Sequence, residues 1–350
     1  MNNKEIINLL HKSGELSKEL WIKLLESYTD VDRTYAAKLA RKVADDVYGK
    51  NVYIRGLIEF SNYCKNDCYY CGIRANNKCV DRYRLTQDEI LECCNNGYKL
   101  GFRTFVLQGG EDLTYSDEWY ETVIKSIKEK YSDCAVTLSI GERSRESYEK
   151  WFKAGADRFL LRHETITNEH YRSLHPENLK LDNRIRCLKD LKDIGYQVGC
   201  GIMVGSPYQN MEHIANDMIF MKEFQPNMVG VGPFIPHKDT PFKDMPAGSY
   251  ELTLFLLSLI RLMLPKVLLP ATTALGTIKD GGREEGILSG ANVVMPNLSP
   301  KLVRDKYMLY NNKLNTGTES AAHLDMLREK MKMIGYNVVV SRGDYKFEQK

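Results

Sequence analysis

The stretch TQDEILECCNNGYKLGFRTFVLQG, residues 86–109, holds one helix-to-strand unit and sets the reading of everything around it. Thr86 followed three residues later by Glu89 is a helix-capping pair, each side chain accepting from the other residue's backbone N–H. Beyond Gly101 the pattern changes to RTFVLQG, a short run apolar on both faces, as in a strand buried on both sides. The same alternation repeats along the chain. Strand candidates are VYIRGLIEF, RTFVLQG, AVTLSI, DRFLLRH, QVGCGIMVG, MVGVGPFI, VLLPATTA and ANVVMPN, with helical segments between them. Eight such units predict a closed parallel (β/α)8 TIM barrel in the α/β class. An open doubly wound sheet stays as the alternative, though no G-x-G-x-x-G opens a helix after the first strand. Residues 1–50 predict two or three amphipathic helices packed outside a barrel of residues 51–310. Residues 311–350 predict a closing helix, AAHLDMLREKMKMIG, and a short strand, NVVVS, in a single structural domain overall. The glycines of GCGIMVG and GVGP further predict a channel through the barrel.

The 49 basic and 46 acidic side chains are interspersed, leaving a formal charge of +3 and no field that argues for nucleic acid or an anionic membrane. Lys4, Glu5, His11 and Lys12 interrupt the first apolar positions, against a secretory segment and in favour of a cytoplasmic protein. The longest apolar run, LTLFLLSLI, is well short of the roughly 18 residues a membrane span requires. Nine cysteines suit metal binding or buried thiols better than a disulfide framework.

In a barrel of this kind chemistry gathers at the C-terminal ends of the strands. YCKNDCYYCG, residues 63–72, puts Cys64, Cys68 and Cys71 just past the first strand. A structural zinc or unrelated thiols are the plain readings, but no second Cys or His pair follows at a zinc spacing. Three thiolates on a [4Fe–4S] cluster leave one iron open to another ligand. LQGGED ends the second strand with Gly109, Gly110 and Glu111, either an ordinary turn or a close backbone approach to a ligand. LLRHET ends the fourth, and strand alternation pairs Arg162 with Glu164 while His163 points the other way as a packing residue. Inside a barrel those two charges should meet each other or a polar ligand. PATTALGT ends the seventh strand; Thr272 and Thr273 suit a carboxylate, with Arg162 completing an anion corner, or are simply good strand formers.

C-x3-C-x2-C with Tyr70 before its last cysteine resembles the signature of the radical S-adenosylmethionine (SAM) superfamily. That resemblance implies a [4Fe–4S] cluster on Cys64, Cys68 and Cys71, with SAM on the open iron. One electron from the cluster then yields a 5′-deoxyadenosyl radical. Over about residues 50 to 310 the phrases IEFSNYCKNDCYYCG, RYRLT, VLQGGED, LRHET, MVGSP, VGPFIPHKDTP, PATTALGTI, GGRE and GANVVMPN resemble one subfamily, the HydE maturases of [FeFe]-hydrogenase. Biotin synthase and methylornithine synthase are its relatives, and PATTALGT and GPFIPHKDTP favour HydE over both. The resemblance implies an adenosyl radical attacking sulfur of an iron-bound, cysteine-derived substrate on the way to the diiron subcluster of the hydrogenase. It assigns Tyr70, Gly109, Gly110, Glu111, Ser139, Glu164 and Arg184 to the cofactor. Arg162, Thr272 and Thr273 go to the substrate carboxylate, and Met203, Met295, Tyr307 and Tyr310 to the cavity wall, where such apolar residues are otherwise core. Partner maturases and a reductant such as ferredoxin or flavodoxin are implied too. Some HydE proteins carry a second cluster near the C-terminus, but no cysteine follows Cys200 here, and NNKLNTGTES, residues 311–320, reads as polar surface. A mutase acting on a small amino acid, as methylornithine synthase does, and a non-catalytic cluster scaffold are the competing functions.

Overall fold

The computed structural model describes residues 1–314 and 320–347. Parallel strands β1 (Asn51–Ile54), β2 (Gly56–Ser61), β3 (Thr104–Gly109), β4 (Ala135–Ser139), β5 (Arg158–Leu160), β6 (Gln197–Val204), β7 (Met228–Pro233), β8 (Val293–Val294) and β9 (Asn337–Val339) alternate with helices. Six of them, β2 through β7, form one sheet in sequence order, and β8, β1 and β9 form a second ladder. Single parallel bridges close the circle: Met228 to Leu268, Pro270 to Val293, and Leu57 to Asn297. The chain is therefore a TIM-barrel-like α/β fold, regular from β2 to β7 and loosely laced over the rest of its circumference.

Two strand expectations change in detail. VYIRGLIEF is not one strand; it breaks at Arg55, a buried residue whose Nη1 reaches Met228 Sδ at 2.7 Å inside the barrel. VLLPATTA forms bridges but no ladder, since Pro270 has no N–H to give, and Thr273 already begins the helix Thr273–Ile278. Thr272 and Thr273 thus stand at a helix start, not at a strand end.

The helices Gln87–Lys99, Asp117–Lys130, Arg145–Ala154, Leu181–Ile194, Met211–Phe224 and Tyr250–Met263 wrap the outside. Thr86 and Glu89 form the expected reciprocal cap. Tyr250–Met263, the most apolar of them, is buried on nearly every side because the N-terminal helix Asp30–Tyr48 lies over it. Its Arg261 is wholly buried and satisfied by the carbonyls of Pro265, Val267 and Gly290. No helix among the described residues is long and apolar enough to cross a membrane.

The N-terminal mouth of the barrel is filled. Arg158 Nη2 donates to Asp344 Oδ1 at 2.6 Å, Thr104 Oγ1 donates to the Arg342 carbonyl at 2.8 Å, and the Tyr345 N–H donates to Gln197. The expected through-going channel is therefore stopped at this end by the C-terminal tail. Of the 311–320 loop, residues 315–319 lie outside the described residues.

Candidate active site

The loop after β2 carries Cys64, Cys68 and Cys71, all free thiols on the C-terminal rim. Asp112 and Glu111, from the loop after β3, hold its first turn: the Ser61 hydroxyl donates to Asp112 at 2.7 Å, Lys65 N–H donates to the Glu111 carbonyl at 3.0 Å, and Glu111 N–H points at Cys64 Sγ at 3.4 Å. Gly110 makes this contact sterically feasible, since a Cβ there would lie 2.2 Å from the Tyr63 carbonyl oxygen and 2.7 Å from Cys64 Cβ. The second turn is tied to the helix Asn168–Leu174, where Tyr69 N–H donates to the Leu174 carbonyl at 2.9 Å.

Burial pushes all three thiols up, Cys68 well above the ordinary value and Cys71 to about 12, and each thiolate would repel the others. The triad keeps its protons unless a cationic centre displaces them, as a metal cluster does. Among the described residues no three His, Cys, Asp or Glu side chains converge as around a single ion. Three half-buried thiols, of which Cys71 lines an open cavity, fit a polynuclear cluster that keeps one face free.

That cavity measures about 310 Å³, within the range of small-ligand sites. Of the residues singled out by sequence, Tyr70, Cys71, Gly109, Ser139, Arg162, Glu164, Arg184, Met203, Thr272, Thr273, Tyr307 and Tyr310 line it. Gly110 and Glu111 stand behind that wall. Glu111 accepts from the Glu142 N–H at 3.0 Å and pairs with Lys65 at 3.2 Å. Met295 is not among the lining residues; it packs lower in the barrel against the cluster of Tyr53, Met228 and Val293.

Arg162 Nη2 and Glu164 Oε2 meet at 3.0 Å, the pair expected from the sequence, although both lie beyond β5 and strand alternation is not what brings them together. The contact is an ion pair without hydrogen-bond geometry, so Nε and Nη2 of Arg162 and Oε2 of Glu164 keep unused capacity inside the cavity. The Thr272 hydroxyl is buried and unsatisfied in the same space. Three side chains thus direct unfilled polar groups into one volume, which calls for a polar ligand there. Glu164 is held at φ 64°, a left-handed conformation that L residues adopt at a cost. His163 faces away, accepting from the Gly201 N–H at 3.3 Å and standing 3.4 Å from the buried Asp217. Asp217 also accepts from the Ile166 N–H at 2.6 Å, so it braces the turn that aims Glu164 inward. Arg184 comes from the helix Leu181–Ile194; its Nε donates to Glu142 at 2.5 Å and its Nη1 to the Arg162 carbonyl at 2.9 Å.

Sequence reasoning missed several groups here. His175 donates from Nδ1 to the Tyr171 carbonyl at 2.9 Å, which leaves Nε2 to accept from the Tyr70 hydroxyl at 3.2 Å. Burial pushes its pKa down to about 3, so the imidazole is neutral. Gln108, Gly232 and Phe234 also line the cavity without having been singled out. Gln108 is the penultimate residue of β3, directly before the two glycines, and its place near the strand end was the signal that would have found it. Tyr307, Leu309 and Tyr310 reach the cavity on a strap over the mouth, fastened where Gly72 N–H donates to Leu309 and Asn311 N–H to Pro236.

A three-cysteine loop at the head of a parallel barrel, beside a cavity with unfilled charge, is the site of a radical SAM enzyme, and the Radical SAM superfamily profile matches residues 58–221. The HydE subunit of the [FeFe] hydrogenase maturase from Thermotoga maritima is 42% identical over 338 residues, 96% of this chain and 95% of that one. By that likeness the chain belongs to the HydE family. The 3-methylornithine synthase of Methanosarcina barkeri is 33% identical over 63% of this chain and 61% of its own. Among solved structures, methylornithine synthase superposes with a TM-score of 0.84 at 27% identity, covering 95% of this chain and 97% of that one. The hydrogenase maturase HydG, at 21% identity, shares the fold with a TM-score of 0.80 over 96% of this chain and 76% of its own.

Proposed function

We propose that this enzyme is a maturase of [FeFe]-hydrogenase whose radical attacks sulfur of a small iron-bound, cysteine-derived substrate. The observation that carries the reading is the shared cavity, with Cys71 on one wall and the unfilled Arg162 and Thr272 on another. The likeness to the T. maritima maturase over nearly all of the chain supports the choice of pathway. Cys64, Cys68 and Cys71 would hold a [4Fe–4S] cluster, and that cluster would supply the electron for reductive cleavage of SAM.

The protein's own groups divide the remaining work. Tyr70, Ser139, Glu164, Arg184 and the Gly109–Gly110–Glu111 turn hold the cofactor between the cysteine loop and the strand ends. Arg162 offers its free N–H groups to the substrate carboxylate, with Thr272 and Thr273 closing the corner. Met203, Tyr307 and Tyr310 present apolar surface that keeps water from the reacting atoms, as a radical requires. Partner maturases deliver and accept the small substrate and product, and a ferredoxin or flavodoxin supplies the electron.

The test is anaerobic cluster reconstitution, then a maturation assay with the companion maturases and apo-hydrogenase. The wild type is expected to release 5′-deoxyadenosine and restore hydrogen evolution, and Cys64→Ser, Cys68→Ser, Cys71→Ser to do neither. Cofactor cleavage with lysine rearrangement and no hydrogenase activation would replace this reading with the amino-acid mutase. A cluster that forms but neither binds nor cleaves SAM would leave a scaffold.

A further inference from the structure

Arg82 lies on the solvent side of the cysteine loop, and neither the cavity nor the cofactor assignments use it. Its Nη1 donates to the carbonyls of Asn62 and, at 2.8 Å, Ile73, and its Nη2 to those of Arg74 at 2.7 Å and Asn77 at 3.1 Å. Asn62 precedes Cys64 by two residues and Ile73 follows Cys71 by two, so one side chain fastens both ends of the ligand loop. Every acceptor is neutral. Of the neighbouring cations, Lys65 is matched by Glu111, Arg74 by Asp67, Arg84 by Asp112 and Lys306 by Asp81, while Lys78, which lines the same hollow as Arg82, is solvent-exposed and makes no ion pair among the described residues. Arg82 makes no such ion pair among the described residues, and the ring it faces is that of Tyr63, 5.9 Å from the guanidinium. It lines a hollow of about 310 Å³ together with Cys64, Tyr63, Ala75 and Asn77.

We propose that Arg82 is a positioning residue that sets the reduction potential of the cluster: its four-carbonyl fork fixes the loop, and its unneutralised charge favours the reduced state. This rests on the reading that Cys64, Cys68 and Cys71 hold a [4Fe–4S] cluster. One-electron reduction adds a negative charge beside a fixed cation in a partly desolvated setting, where Coulomb attraction is several-fold stronger than in water. Charge and hydrogen bonding around the sulfurs are among the levers that place such potentials. Arginine suits the task because it stays protonated and its planar fork spans several acceptors.

The experiment is a dithionite titration of the reconstituted full chain, followed by the electron paramagnetic resonance of the reduced cluster. At the wild-type midpoint, Arg82→Gln is expected to lower the ratio of reduced to oxidised cluster about tenfold, a shift of about 59 mV for one electron. Arg82→Lys loses the fork but keeps the charge, and its ratio should stay within about twofold of wild type. Ala75→Asp places a carboxylate in the same hollow without touching the fork, and should shift the midpoint in the direction of Arg82→Gln. Unchanged midpoints in Arg82→Gln and Ala75→Asp overturn the proposal while leaving the three-cysteine reading standing. If Arg82→Gln assembles no cluster, Ala75→Asp alone decides. A wild type that assembles no four-iron cluster overturns both.

Discussion

Glu164 carries the sharpest conflict between stability and use. Its φ of 64° costs about 1 kcal/mol or more for an L residue, against a partly exposed ion pair with Arg162 that contributes little. Glu164→Gly is therefore expected to leave the metal-free protein as stable as wild type, or more stable by about 1 kcal/mol, while SAM cleavage is lost. Thermal unfolding beside 5′-deoxyadenosine release checks this, and a melting point several degrees lower would show that no strain is stored there. Gly110→Ala should act in the opposite sense. With Cβ 2.2 Å from the Tyr63 carbonyl oxygen, the loop must shift, and iron and sulfide content after reconstitution should fall well below wild type. Both residues were legible in the sequence, one as half of a glycine pair and the other as half of an alternating charge pair. Their backbone conformations were not, because strand alternation carries no information once the ladder has ended at Leu160.

Among elements, the short helix Asn168–Leu174 and the residue after it concentrate buried imidazole. Burial pushes His170 down to about 4 and His175 down to about 3, against an unfolded value of 6.5. The unfolded chain therefore takes up protons that the folded chain refuses, so stability is full above pH 6.5 and is lost as pH falls toward 3. The urea midpoint of the metal-free protein should decline steadily from about pH 6.5 to about 4, and the paired change His170→Gln and His175→Gln should flatten that slope. A double variant that keeps the wild-type slope would assign the acid sensitivity elsewhere. This helix also shows why sequence reading found the cysteine loop but not its supports. Cys64, Cys68 and Cys71 declare themselves by spacing, whereas Tyr70 meets His175 across 105 residues. The irregular seventh strand escaped for a related reason: the apolar run Val267, Leu268, Leu269 has the composition of a strand, and composition does not show that its pairing is reduced to single bridges around Pro270. Only the bridges to Met228 and Val293 show how little ladder remains.

For the molecule as a whole, the periodic units made the barrel legible, while the two plugs at its ends were not. At the N-terminal mouth Arg158 is 3% exposed and is neutralised by Asp344 from the tail. Asp344→Asn removes that counter-charge and is expected to cost about 2 kcal/mol, below the figure for fully buried pairs because the aspartate is 39% exposed. Chemical denaturation measures it, and a change under about 0.5 kcal/mol would mean that the tail seals the barrel by packing alone. At the other end Lys313 Nζ donates to Glu59 Oε1 at 2.6 Å, and Asn297 Nδ2 to Glu59 Oε2 at 2.7 Å. No local pattern announces either closure, because each joins a strand from the first half of the chain to a segment that arrives near its end.

That distance has a price in time. Glu59, with no exposure in the finished barrel, waits for a lysine 254 residues downstream. At roughly 5–20 residues per second on the ribosome, the nascent strand carries an unmatched carboxylate for about 13–50 s. Until Lys313 emerges that carboxylate stays without its counter-charge, and chains released before that residue should be cleared by proteases far faster than the complete one.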